Sequence, residues 1–192
     1  MKTKNCLVRW HKCNPKAIIP TKTNAAAGYD IYTIEKNVVL EPHSQHLFST
    51  GLQVAIEEGY WLAVWDRGST GSKGLHVHCG VVDNDYRGEI FVCIKNDNSY
   101  SVKFTDDEEP GMHSHKETIT TGPESRNGIQ LSVAIIKEVN VIDYFVYPTS
   151  KAIAQLIPMV QPFISDGEAT EEEWEALKNT ERGEGKLGSS GK

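Results

Sequence analysis

No apolar run in these 192 residues approaches the roughly 20 needed to cross a bilayer. Nor is the amino terminus, MKTKNCLVRW, followed by an apolar core of signal-peptide length. Positive charge is also in short supply, with 20 Lys and Arg against 26 Asp and Glu and a formal net charge of −6. A surface that grips duplex DNA by its phosphates relies on the opposite excess. The expectation is a soluble, cytoplasmic protein that binds neither membrane nor duplex nucleic acid. A small anion stays within reach, because a few well-placed cations and backbone N–H groups are enough to hold one. Cysteine is scarce: Cys6, Cys13, Cys79 and Cys93 have no CxxC spacing and form no dense framework. That speaks against a zinc site or a disulfide scaffold and fits a reducing compartment. No internal repeat is found.

What the chain does have is a series of short strand-like runs broken by turn residues. They are Ala17 to Pro20, Tyr29 to Thr33, Asn37 to Leu40, His46 to Phe48, Leu52 to Ile56 and Tyr60 to Trp65. Glu89 to Lys95, Val133 to Val139, Tyr144 to Tyr147 and Ile153 to Val160 follow. This spacing, with no long 3.6-period stretch between the runs, predicts one all-β sandwich or barrel domain. From Asn98 to about Gly128 the composition turns polar, with the acidic run Asp106 to Glu109. That stretch is too long for an ordinary hairpin loop and reads as an excursion from the core. Thr170 and Glu173 make a capping-box pattern for a short helix from Glu171 to Lys178.

Two segments could carry chemistry. The tail from Arg182 to Lys192 combines glycines, the hydroxyls of Ser189 and Ser190, and the cations Arg182, Lys186 and Lys192. Such a composition is a solvated terminus or a phosphate clamp. It is not a Walker loop, since no helix and no Ser/Thr follow Lys192. The second segment, GVVDNDYRGE from Gly80 to Glu89, is not a calcium loop, because Arg87 occupies a ligand position and Ile94 stands where the closing Glu belongs. By itself it reads as a tight hairpin turn. His76, His78 and Cys79, like His113 and His115, read better as unliganded groups than as a metal site.

Five separated segments, in order, resemble the five motifs of the trimeric dUTPase family. They are AAAGYDIYT (Ala25 to Thr33), DRGSTGSKG (Asp66 to Gly74), GVVDNDYRGE, IAQLIP (Ile153 to Pro158) and RGEGKLGSSG (Arg182 to Gly191). The resemblance implies a distorted jelly-roll β subunit, a homotrimer with shared active sites, and hydrolysis of dUTP to dUMP and pyrophosphate. Such an activity keeps uracil out of DNA and supplies dUMP for thymidylate synthesis. It implies a β domain over residues 1–165, interrupted by an insertion at about 98–140, then a short acidic helix at 166–180 and a closing arm at 181–192.

By the same resemblance Asp83 holds the attacking water and accepts the sugar 3′-hydroxyl as general base, and Tyr86 lies against the deoxyribose. Main-chain groups of Cys79, Gly80 and Val81 read uracil. Arg67, Gly68, Ser69, Gln155 and Arg182 bind phosphate, with Lys186, Leu187, Gly188, Ser189 and Ser190 completing the arm. Mg²⁺ rides on the triphosphate, with Asp30 holding it through water. The chain departs from the pattern at Gly68, where the family has Ser after Arg, and at Ala152, where the family has Arg and Lys151 is the nearest cation. It departs again at Lys186, at Leu187 in place of the aromatic over uracil, and in the insertion, which resembles those of phage-encoded members. These changes predict weaker arm closure and a raised KM. Two other functions fit the same segments. One is a dCTP deaminase of the same superfamily, told apart by ammonia release. The other is a nucleotide-responsive regulator that binds a protein partner through the insertion, told apart by deleting it.

Overall fold

The computed structural model describes residues 6–121, 124–126, 129–131, 135–162 and 166–180, with side chains at 6–114, 116, 143–162 and 166–180. It divides into two compact units, Met1–Gln161 and Pro162–Lys192. The first is built from β1 (Val8–Lys12), β2 (Tyr29–Ile31), β3 (Val38–Leu40), β4 (Gln45–Ser49), β5 (Leu52–Ile56) and β6 (Tyr60–Trp65). After the short helix α1 (Gly68–Gly71) come β7 (Leu75–His78), β8 (Val81–Val82), β9 (Phe91–Asn96) and β10 (Ser101–Phe104). They are followed by β11 (Gly111–Thr121), β12 (Glu124–Arg126), β13 (Ile129–Leu131), β14 (Ile135–Tyr147) and β15 (Ala154–Val160).

The strands form small sheets, as expected of an all-β chain. The order β2-β15-β6-β8 makes one, β4-β9-β7 a second and β11-β14-β10-β3 a third, while β1 pairs with β5 and β12 with β13. Alternation explains how they pack. In β5, Leu52, Val54 and Ile56 are buried and Gln53 and Ala55 are less so, the period-2 pattern of a half-buried strand. The core lies between the sheets, where Phe48 meets Phe104 with ring centroids 4.6 Å apart and Phe104 meets Tyr147 at 5.3 Å.

Four readings change. Ala17 to Pro20 is not a strand: Lys16 N–H bonds the Asn14 side chain and Ala17 N–H the Asn14 carbonyl, so the Asn14-Pro15 turn sets the local backbone. β1 went unforeseen because VRWHK is a polar edge strand with only β5 for a partner. The run expected at Val133 to Val139, where it is described from Ile135 on, and the run at Tyr144 to Tyr147 belong to the single strand β14, which pairs with β11 to form an antiparallel ribbon. β10 lies within the polar stretch that starts at Asn98, yet its Val102 and Phe104 are fully buried and it pairs with β3.

The second unit contains α2 (Glu171–Leu177), capped as its sequence predicts. Glu173 N–H donates to Thr170 Oγ1 at 3.3 Å, and Thr170 N–H donates to the Glu173 carboxylate at 2.8 Å. Among the described residues, no helix is long and apolar enough to cross a membrane.

Candidate active site

The first, second and fourth motifs meet in one pocket of about 420 Å³, lined by Lys22, Gly28, Asp30, Arg67, Gly68, Ser69 and Gln155 among others. Register brings them together, because Gln155 on β15 pairs with Asp30 on β2 and with Trp65 on β6, just before Arg67. Arg67 is held as a fork: Nε donates to Asp30 Oδ1 at 2.8 Å and Nη2 to Asp30 Oδ2 at 3.0 Å, while Nη1 reaches Ser69 Oγ and the Ala152 carbonyl at 3.3 and 3.4 Å. The same carbonyl accepts from the buried Tyr147 hydroxyl at 2.7 Å. Burial pushes the Tyr147 phenol up, so it stays a neutral donor beneath the guanidinium. Where the family has an Arg, Ala152 is buried and engages Arg67 through its backbone.

Around this fork the backbone is pinned. Buried Thr70 accepts from Arg67 N–H at 3.0 Å and donates to the Arg67 carbonyl. The Asp66 carboxylate accepts from Val77 N–H at 2.5 Å and pairs with His76 Nδ1 at 2.9 Å. Gln155 Nε2 donates to the Asp66 carbonyl at 2.7 Å, fixing its amide against the same corner. The N–H groups of Gly68 and Ser69 have no partner among the described residues. Two free N–H groups beside Arg67 and Lys22 make a surface that favours anions.

The third motif lies elsewhere in the chain. It is not a hairpin of mutually paired strands: β8 pairs with β6, and β9 with β4 and β7, so the segment crosses between two sheets. The crossing is tied down without an ion pair among the described residues. Val64 N–H donates to the Gly80 carbonyl at 2.9 Å, and a Cβ on Gly80 would lie 2.7 Å from the Val64 carbonyl oxygen, which leaves room only for glycine. Asn84 Nδ2 shares its protons among the carbonyls of Ile56, Glu57 and Tyr60 at 3.2, 2.9 and 2.8 Å. The Tyr86 hydroxyl donates to the Glu89 carbonyl at 2.8 Å with its ring against Gly88, and the Glu89 carboxylate accepts from Ser49 Oγ and Gly51 N–H. Among the described residues nothing partners the exposed Asp83 carboxylate. Gly80 and Val81 line a second pocket with Trp61, Ala63, Val64, Trp65, Asp66 and Val77, which shares no residue with the first.

Asp30, Arg67, Gly68, Ser69 and Gln155 are thus assembled together. Gly80 and Val81 line the second pocket, and Cys79, Asp83 and Tyr86 belong to the same crossing. Arg182, Lys186, Leu187, Gly188, Ser189 and Ser190 lie outside the described residues. Sequence reasoning passed over Lys22, Asp66, Asn84 and Glu89. Only Asn84 carried a local signal, an amide between two carboxylates in DND. No group of three His, Cys, Asp or Glu able to hold a metal occurs among the described residues. His113 instead stacks on Tyr144, with ring centroids 5.0 Å apart.

Known proteins resemble this chain in sequence and fold. The dUTPase family model matches residues 14–108. The deoxyuridine 5′-triphosphate nucleotidohydrolase of Candida albicans is 29% identical over 93% of this chain and 84% of its own length. That of Helicobacter pylori strain Shi470 is 36% identical over 52% of this chain and 72% of its own. The structure of the Staphylococcus bacteriophage 80alpha dUTPase with dUPNHPP aligns with a TM-score of 0.61 at 26% identity, covering 97% of this chain and 99% of that one. The dUTPase of Staphylococcus aureus phage phi11, described with a species-specific insert, aligns at 0.54 and 25% over 86% and 98%. With the motifs assembled as above and a 36% identical relative matched over most of its length, the chain belongs to the dUTPase family.

Proposed function

We propose that the chain hydrolyses dUTP to dUMP and pyrophosphate by attack of water on the α-phosphorus, with Asp83 as general base. The observation that carries this most is the Asp83 carboxylate itself, exposed and without a partner among the described residues, on a crossing held at Gly80, Asn84, Tyr86 and Glu89. A base fixed in place and free of competing cations can take the proton of a water as the oxygen bonds to phosphorus. The bond to the bridging oxygen then breaks, and pyrophosphate leaves. Arg67, the N–H groups of Gly68 and Ser69, and Gln155 stabilise the phosphate oxygens, where charge develops. Cys79, Gly80 and Val81 read uracil through their main chain, and Tyr86 packs against the deoxyribose. The arm supplies Arg182, Lys186, Leu187, Gly188, Ser189 and Ser190 to the bound nucleotide.

Mg²⁺ fits this donor set in one way. Asp30 is the single carboxylate of the phosphate pocket, and each of its oxygens already accepts from Arg67. Its remaining lone pairs can accept from waters of a magnesium ion held chiefly by the triphosphate, the coordination this ion prefers. When bound, the ion neutralises phosphate charge. Because the base crossing and the phosphate pocket share no lining residue, the nucleotide is proposed to span copies of the chain in a homotrimer.

Pyrophosphate release from dUTP with Mg²⁺, against an active control enzyme, tests the activity. No release at micromolar enzyme ends the proposal, and ammonia release from dCTP would replace it with the deaminase reading. No residue of the β11–β14 ribbon is assigned a step in this chemistry. A protein partner there is a separate proposal, tested by whether deleting the ribbon removes partner binding and spares hydrolysis.

A further inference from the structure

Cys79 and Cys93 are far apart in sequence and adjacent in space. In the β7–β9 pairing, His78 stands opposite Cys93, so Cys79 is one residue past the register partner. Strict strand alternation would turn its side chain to the other face. Cys79 instead has φ +59°, a left-handed conformation rare for a residue with a Cβ. That twist frees its sulfur from the outward face, and the Cys79 thiol is near enough to Cys93 to help push the Cys93 thiol up. Opposed Cα atoms lie about 5 Å apart and one chain step adds 3.8 Å crosswise, which puts this pair near ~6 Å, inside the span a disulfide accepts. The two thiols are otherwise unlike. Cys79 is exposed and Cys93 only 5% exposed, and both are free.

We propose that Cys79 and Cys93 form a reversible oxidation site, in which a peroxide converts the two thiols to an intramolecular disulfide that deforms the base-reading turn. The Cys79 thiolate attacks a peroxide oxygen, the O–O bond breaks, and a sulfenic acid forms with loss of one water. The Cys93 thiolate then attacks that sulfur, the S–O bond breaks, and a second water leaves. The thiols lose two electrons and two protons, peroxide is reduced to two waters, and a dithiol reductant reverses the change. An exposed thiol beside a sheltered one is the arrangement that separates an attacking from a resolving cysteine. Burial, and then the neighbouring sulfur, push the Cys93 thiol up, so the second step quickens as pH rises. Intracellular disulfides of this kind are transient and regulatory. The functional consequence rests on the base-slot reading above. Cys79 directly precedes Gly80, whose carbonyl and Cα are fitted against Val64 at the slot wall, so closing the S–S bond moves a wall with no slack.

The test is peroxide treatment of the full-length protein followed by non-reducing tryptic mapping. Cleavage at Lys73, Arg87 and Lys95 places the two cysteines on separate peptides, 74–87 and 88–95. The expected result is a disulfide-linked pair of these peptides, lost on adding dithiothreitol, together with a reversible rise of about tenfold in KM for dUTP. Cys93→Ser should leave basal kinetics unchanged, give no linked pair and make oxidative loss irreversible, whereas Cys13→Ser should behave as the parent. Oxidation of Cys79 with no linked pair would overturn the proposal, as would a reversible response that persists in Cys93→Ser. The peptide map needs no turnover, so failure of the dUTP reading would leave the map's answer intact, and a linked pair without a change in KM would overturn only the coupling to the slot.

Discussion

The crossing that carries Asp83 and the pocket that carries Arg67 fix their functional groups by opposite means. Around Asp83 no anchor is an ion pair among the described residues: one asparagine amide is shared by three carbonyls, a tyrosine hydroxyl and the Arg87 guanidinium bond carbonyls, and the Glu89 carboxylate accepts from Ser49 and Gly51. The charge of Asp83 is left unspent. Around Arg67 the main anchor is itself ionic, since Asp30 takes two of its N–H groups. The first arrangement holds a base ready and, having no ion pair among its described anchors, should respond little to salt. The second orients a cation while offsetting part of its charge, and salt should weaken it because both partners are about a third exposed.

That difference can be broken at four points and checked at a fifth. The largest effect is expected from Asp83→Asn: kcat falls by about 10²- to 10⁴-fold, while the melting temperature holds, since no folded-state partner is lost. A parallel loss of stability would mean that Asp83 is not free. Next is Asn84→Ala, which leaves three carbonyls short of a donor. Chemical denaturation should read a loss of about 1–2 kcal/mol, and misplacement of Asp83 should lower kcat by about 10- to 100-fold with KM little changed. A rise in KM alone would assign Asn84 to binding.

In the other region, Asp30→Ala should raise KM by about tenfold with a smaller change in kcat, as Arg67 loses its orienting fork. Titrating salt against the parent should raise KM in the same direction, and an Asp30→Ala enzyme equal to the parent at every salt concentration would dissolve the contrast. Smaller still is Gly68→Ser. A Cβ at Gly68 meets nothing within 4 Å, so the hydroxyl should fit and lower KM by about two- to fivefold, the worth of one net hydrogen bond.

The smallest effect belongs to neither region. Asp106, where the ribbon leaves the core, accepts from Thr149 Oγ1 and Ser150 N–H and pairs with Lys36; led by the Thr149 bond, these hold its carboxyl down at about 2 against an ordinary 3.8. A depressed carboxyl stabilises the fold fully above its ordinary value and ceases to as pH falls through the folded one. Melting temperature should therefore decline across that window in the parent and less steeply in Asp106→Asn.

The same contrast explains what could be read in advance. Leu52 to Ile56 and Tyr60 to Trp65 were legible to the residue because apolar periodicity is a local property. The meeting of Asp30, Arg67 and Gln155 was legible only through the resemblance of motif to motif, since no spacing in the sequence specifies the β2–β15–β6 register. Nothing in VRWHK marks an edge strand, and Asn140 and Asp143 interrupt the apolar pattern that would have joined β14 into one strand. Asn84 was missed for the reason it matters, because its partners are backbone groups 24 to 28 residues away. The residue types of the base crossing were readable, but the contacts that leave Asp83 unpartnered were not.

The central claim is that a base on one copy acts on a phosphate held by another, and mixing two inactive variants tests it most directly. Asp83→Asn and Arg67→Ala chains, unfolded and refolded together in equal amounts, should regain about a quarter of parental activity, since about three quarters of random cyclic trimers are mixed and every mixed trimer has one correctly paired interface of its three. If native mass spectrometry confirms mixed assemblies and no activity returns, the two half-sites do not complete one another, and the account of a shared site is wrong.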